Sequence, residues 1–320
     1  MKGHFQSISL FLSLLLWMTW LLSPSQAAMV NCTWDKDDLE EECFSTLVPL
    51  TAGIKQWFFL GDSTMFRVLR SLSALYGTEF KVLRSSPPSE SNKLNYYGYA
   101  TNMRYWVPPN ETLGEGPSHG QPFRTLCSSC QNTRMQHNAT KVEVEFLSIE
   151  HALDVEFPTD STRTSQETAV KYITQQQQPA FDKDSTLCVA NTGFHELLIR
   201  SLTPHMYSHN VVDYWLQMLQ AKVCRHILWI NINSVSLQPE YSHSNRRIRK
   251  FNAAVWERLR HTNISGAYVD IHPYSTRTEH ADDKHMSFKL FYFPLGRLYH
   301  RLLLAGALSV APRDAEKNFA

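Results

Sequence analysis

The sequence carries almost no net charge, contains no internal repeat, and has no second cysteine or histidine pair at metal-ligand spacing downstream of Cys127-Ser-Ser-Cys130. Each absence removes a class of function. With 31 basic against 30 acidic side chains in 320 residues, there is no surplus of Lys and Arg to release counterions from phosphates, so nucleic acid is not an expected partner. Without a repeat, solenoid and propeller arrays are set aside, and "QQQQ" is too short to make a low-complexity tract. A lone Cys-x-x-Cys lacks the other half of a four-coordinate zinc site; no metal and no cofactor is expected. The longest hydrophobic run, Ile8 to Leu22, falls short of the roughly 20 residues that span a bilayer.

That run instead reads as part of a leader. Lys2 precedes it and "SPSQAA" follows, with small residues at Ser25 and Ala27 suited to a signal peptidase. The expected division is a signal peptide over residues 1–27 and a single domain over 28–320. A type II membrane anchor is the alternative, and a membrane partner is expected only if the segment stays uncleaved. Either way the remainder is secreted or faces the ER or Golgi lumen. Sequons at Asn31, Asn110, Asn138 and Asn263 point the same way, as N-glycosylation acceptors in surface loops. So do the 6 cysteines, all beyond the proposed cleavage point and even in number. The expected disulfides are Cys32–Cys43, Cys127–Cys130 and Cys188–Cys224, the last because both residues precede apolar strands that can lie side by side. A redox role for Cys127 and Cys130 stays open.

Composition then allows one large domain, since 43% of the residues are hydrophobic and the chain is long enough for a substantial core. Apolar runs recur at "IKQWFFLG", "KVEVEFLSI", "TLCVANTG", "HILWININS" and "GAYVDIHPYS". They read as five strands, mostly continuous rather than alternating, as parallel strands covered on both faces are. "KVEVEFLSI" alternates, which predicts a place near an edge. Helical patterns fall at Thr64 to Tyr76, from Ser165, from Val211, from Asn245, and finally to about Leu304. The alternation predicts an α/β three-layer sandwich with a five-stranded, mostly parallel sheet in the order 2-1-3-4-5. Ser85 to Gln136, rich in Pro, Gly, Asn and Tyr, reads as a loop-rich insertion.

The first strand runs straight into Gly61-Asp62-Ser63 and then a helix. Ser63 thus sits at the carboxyl end of a strand, where open α/β sheets bind ligands, and at a helix start whose unpaired amides favour developing negative charge. Such a serine can act as a nucleophile whose own N–H helps hold the oxyanion. Ordinary helix capping accounts for the same residues. Near the other end, "TEHADDKHMSF" sets Asp282 three residues before His285, a spacing at which a carboxylate can brace an imidazole base.

Gly61-Asp62-Ser63, Asp282-x-x-His285 and "NTGFH" between them resemble the SGNH (GDSL-type) hydrolase superfamily. The closest likeness is to its PC-esterase branch of polysaccharide and sialic-acid O-acetyltransferases and NXPE carboxyl-terminal domains. The resemblance covers roughly Trp57 to Leu304 and implies an SGNH, flavodoxin-like fold. It implies Ser63 as nucleophile, His285 as base and Asp282 as orienter, with Asp283 as runner-up. It implies an oxyanion hole from the Ser63 amide, Asn191 and Gly193. Asp62, Arg67 and Gly98 are supporting candidates: Arg67 stands four residues after the serine where the branch often has Arg at three, and Gly98 is the candidate for the second-block glycine. The implied activity is O-acetyl transfer to, or removal from, glycan hydroxyls, whose partners are an acyl donor and a hydroxyl-bearing acceptor. Tyr96, Tyr97, Tyr99, Tyr105 and Trp106 are candidates for sugar stacking, or for a satellite core. An inactive binding protein of the same fold and a lipid esterase are the alternatives.

Overall fold

The structure, a computed structural model, describes residues 29–34, 39–85, 97–99, 102–104, 122–124, 133–148, 154–156, 170, 174, 181–194, 196–198, 202–236, 242–281 and 285–309. The expected leader, Cys127, Cys130, Asn110, Asp282, Asp283, Tyr96, Tyr105 and Trp106 lie outside them.

The chain is α/β. Its strands are β1 (Val30–Thr33), β2 (Gln56–Gly61), β3 (Phe80–Ser85), β4 (Tyr97–Tyr99), β5 (Asn102–Arg104), β6 (Pro122–Arg124), β7 (Thr133–His137), β8 (Glu143–Ser148), β9 (Asp154–Glu156), β10 (Thr186–Ala190), β11 (His226–Ile230) and β12 (Gly266–Asp270). Eight of them form one sheet in the order β1-β12-β11-β10-β2-β8-β7-β3. The five expected strands are β2, β8, β10, β11 and β12, all parallel, and they lie side by side in the expected order.

The sheet is nevertheless mixed and larger than five strands. Parallel β1 adds to one side, and β7 and β3, paired antiparallel, add to the other. β3 and β7 begin and end the stretch taken as a loop-rich insertion, whose interior holds the antiparallel ribbon of β4 with β6 and also β5, which pairs antiparallel with β9 beyond the stretch. β8 is not at the edge. Its alternation has another cause: Val144 and Phe146 enter one core, while on the other face Glu143 takes a hydrogen bond from Arg134 Nε on β7 at 2.9 Å in a cross-strand ion pair.

The helices are α1 (Leu39–Thr51), α2 (Ser63–Tyr76), α3 (Pro204–His209), which runs through a π-helical stretch Asn210–Leu216 into α4 (Gln217–Lys222), α5 (Ser242–Leu259), the single turn α6 (His272–Ser275) and α7 (Phe293–Leu308). They cover both faces. Along β2, Trp57 and Phe59 join one core with residues of α1, α2 and α7, while Phe58 and Leu60 join a second core with residues of the α3–α4 segment and α5. All four side chains are buried, which is why the strand reads as a continuous apolar run. Helix α2 buries Met65, Val68, Leu69 and Leu72, the spacing of one helical stripe.

Two expected disulfides are present. Cys32 on β1 joins Cys43 on α1, and Cys188 on β10 joins Cys224 beside β11, with Cα separations of 5.4 and 5.7 Å, within the ordinary range for a bridge. Disulfides fit an oxidising compartment. Among the described residues no cysteine is free and no helix is long and apolar enough to cross a membrane. Asn31, Asn138 and Asn263 are exposed, as glycan acceptors must be.

Candidate active site

Asp62 makes the turn from β2 into α2. Its backbone is extended and its Oδ1 accepts the Thr64 amide at 2.8 Å, an N-cap that starts the helix at Ser63. Gly61 is required immediately before it, because a Cβ there would stand 2.5 Å from the Asn191 carbonyl oxygen. The same approach lets the Asn191 amide donate to the Leu60 carbonyl at 3.0 Å. The Gly-Asp-Ser and Asn-Thr-Gly segments are therefore one packed unit.

Ser63 Oγ lies 3.0 Å from His285 Nε2 across 222 residues of sequence. Both side chains are half-buried. With Nδ1 protonated, Nε2 accepts the serine hydroxyl proton, the arrangement of nucleophile and base. The Ser63 amide occupies the first helical position, where no carbonyl within the helix can reach it. Asp62 is buried, and its Oδ2 has no hydrogen-bond partner among the described residues.

The loop carrying His285 is held as a narrow hairpin. The Ala281 amide donates to the His285 carbonyl at 2.8 Å, the Ser287 amide to the Glu279 carbonyl at 2.9 Å, and His280 bridges Met286 in antiparallel fashion. Buried Met286 roots one side in the core. On the other side His280 Nε2 lies 3.2 Å from the Ser234 carbonyl, which ties the loop to the end of β11. His280 was overlooked in the sequence even though it shares the stretch that revealed His285; only the fold brings Ser234 beside it.

Asn191 does not sit as an oxyanion donor. Its Nδ2 is directed at the Ile230 and Asn231 carbonyls, at 2.9 and 3.2 Å, and so fastens β10 to the end of β11. Gly193 has φ +117, and a Cβ there would stand 2.2 Å from the Tyr207 hydroxyl oxygen, so only glycine fits. The Tyr207 hydroxyl donates to the Thr192 carbonyl at 2.9 Å and fixes the turn. Burial pushes the Tyr207 phenol well above its ordinary range, and nearby Glu196 adds to it. Arg67 is half-buried one turn beyond Ser63. Gly98 pairs with Phe123 in the β4–β6 ribbon, outside the eight-stranded sheet.

A second polar group braces the ends of β11 and β12. Asn231 donates to Asp270 Oδ1 at 2.5 Å and to the Tyr268 hydroxyl at 3.1 Å, and accepts the Ile271 amide at 2.9 Å. Burial raises the Asp270 carboxyl above its usual range.

Among the described residues one cluster, Glu79, His137 and His300, has the composition of a metal site. Its hydrogen bonding argues otherwise. The Thr140 amide and hydroxyl lie 3.2 and 3.0 Å from His137 Nδ1, and His137 Nε2 lies 3.3 Å from Glu79 Oε2, so both ring nitrogens already have protein partners. His300 Nε2 meets the same oxygen at 3.0 Å. The cluster is a hydrogen-bonded clamp.

No protein-family model, no curated protein and no solved structure matches the chain.

Proposed function

We propose that the protein is a serine-dependent acyl-ester enzyme of the SGNH type, similar to the PC-esterase branch, working in the secretory pathway or outside the cell on O-acetyl groups of glycan hydroxyls. The Ser63–His285 hydrogen bond carries this reading. A hydroxyl poised on an imidazole at the mouth of a parallel sheet is the minimum apparatus for acyl transfer.

In the proposed cycle His285 Nε2 takes the Ser63 proton as Oγ bonds to the acetyl carbonyl carbon. The oxyanion is held by backbone amides, those of Ser63 and Gly193, since the Asn191 side chain is engaged elsewhere. Collapse breaks the ester C–O bond, and the imidazolium returns its proton to the leaving alcohol. Water or a sugar hydroxyl then attacks the acetyl-serine, His285 taking its proton, and Ser63 is released with its hydroxyl restored. Asp282 serves as the orienter of His285.

The test is p-nitrophenyl acetate offered with and without glycan acceptors, with Ser63 analysed by mass spectrometry. Acetate release through an acetyl-Ser63 adduct establishes an esterase, and acetylated sugar a transferase. Absence of turnover and of any adduct across acyl donors gives the fold to a binding protein.

A further inference from the structure

The segment Leu202–Pro204 and the first turns of α5 enclose a groove of about 400 Å³ whose charged lining is wholly basic: Arg246, Arg247 and Lys250. In a chain of net charge +1 this is a local concentration of positive charge. Arg247 is set in place before any ligand arrives. Its Nη2 donates to the Leu202 carbonyl at 2.8 Å, and its guanidinium lies 5.1 Å from the centroid of the Phe251 ring. Arg246 and Lys250, one turn apart, are exposed and present their charges to solvent.

The groove belongs to the same rim of the sheet as Ser63. α5 leads away from the carboxyl end of β11, and Leu202–Pro204 lies on the connection from the carboxyl end of β10. A run of contacts joins the two places. Phe251 stacks on Tyr207 with centroids 4.7 Å apart, Tyr207 holds the Thr192 carbonyl, and Asn191 packs on Gly61.

We propose that this groove seats an anionic group, a carboxylate or a sulfate, on the glycan that exchanges its acyl group at Ser63. The inference rests on the acyl-ester reading for the chemistry but not for the binding. Arg offers a fork matched to two oxygens of either group, and Lys a point charge beside it. One anchored sugar would then hold a neighbouring hydroxyl or ester toward the nucleophile, as remote binding does for orientation. The near-zero net charge agrees with recognition of single anionic residues rather than of a polyanion.

The test uses Ser63→Ala protein, which binds without turning over. Matched oligosaccharides bearing a uronic carboxylate, a sulfate ester or neither are titrated by calorimetry in separate arms. One or both anionic arms should bind at least tenfold tighter than the neutral one, and Arg246→Gln with Lys250→Gln should remove that advantage while leaving the thermal midpoint unchanged. As a second measurement needing no variant, raising the salt from 50 to 500 mM should weaken the anionic arm and spare the neutral one. Equal binding of all three arms, or an anionic preference that survives the double substitution, overturns the groove. An anionic preference lost on substitution, together with a wild-type chain that never forms acetyl-Ser63, keeps the groove and overturns the enzyme.

Discussion

Two histidine constellations stand on opposite rims of one sheet. At the carboxyl ends of the parallel strands, His285 faces the Ser63 hydroxyl and the pair is half-buried. At the other rim, where β7 ends and β3 begins, buried His137 and His300 close on one carboxylate oxygen of Glu79, and Tyr76 stacks on His300 with ring centroids 3.7 Å apart. The first histidine has its Nε2 turned to a hydroxyl. The second group has both Nε2 atoms already matched to a carboxylate oxygen. The contrast teaches that histidine and polar partners within hydrogen-bonding distance do not by themselves make a catalytic site; what matters is which group the imidazole faces.

The sharpest way to break this comparison is to remove each constellation in turn and read turnover. Ser63→Ala and His285→Ala should each lower acetyl-ester turnover by at least about 10³-fold, because nucleophile and base act as a unit. Asp282→Ala should leave more activity than either, and Asp283→Ala should matter far less than Asp282→Ala; the reverse order would move the orienter to Asp283. Equal losses from His285→Ala and His300→Ala would erase the distinction between the rims.

A second expected effect tests whether the rim that carries Ser63 is a single packed unit. Gly193→Ala places a methyl against the Tyr207 hydroxyl at a φ of +117, and strain plus overpacking should cost about 2–4 kcal/mol, read in urea unfolding. Tyr207→Phe alongside it removes the clashing oxygen and should recover part of that loss. No recovery would mean that backbone strain alone is responsible.

These residues also show what a sequence can and cannot disclose. β2, β10, β11 and β12 were legible because burial on both faces writes a continuous apolar run. β7, "TRMQH", and β3, "FKVLRS", were not, because polar strands toward one side of the sheet take their identity from their neighbours. α1, with three consecutive glutamates and Pro49, hides its buried stripe in the same way. Ser63 and His285 were legible because each lies inside a short local pattern. The clamp had no such pattern: its members are 58 and 221 residues apart in sequence. The Asn191 side chain shows the converse error, in which a residue at a suggestive position is engaged in fastening two strands.

Acid should weaken the fold through groups on both rims. Burial pushes His272 down to about 4 and, with help from nearby Arg225, His226 down to about 4; burial also lowers His300. A histidine whose folded pKa lies below its unfolded value near 6.5 contributes stability present above pH 6.5 and lost as pH falls toward 4. Asp270, raised by burial, pulls the opposite way, but one carboxyl opposes several imidazoles. Urea unfolding at pH 7 and pH 4.5 should therefore show a net loss, of which buried His272 supplies up to about 3 kcal/mol. His272→Gln should flatten the slope, and an unchanged slope would show that His272 is not the source.

The smallest expected effect belongs to Glu79. For this carboxyl, burial alone would raise the pKa, but the hydrogen bond from His137 and the charge and hydrogen bond of His300 outweigh it and hold the group below its ordinary value. A depressed carboxylate contributes stability present above pH 4.3 and lost as pH falls through its folded pKa. Glu79→Gln keeps the shape but offers one acceptor oxygen, and turns an amide N–H₂ toward any second imidazole N–H in its path. The side chain is 45% exposed, so water screens the clamp and the loss should be only about 1 kcal/mol. In a domain of this size that is a fall of about 2–4 °C in Tm at pH 7, shrinking as pH falls through the lowered pKa of wild-type Glu79. Ester turnover at 25 °C should not change, since the clamp lies on the rim away from Ser63. A Glu79→Gln protein of unaltered Tm would reduce the clamp to a contact without consequence. Zinc that bound the wild-type protein and not the Glu79→Gln variant would show instead that the cluster takes up a cation.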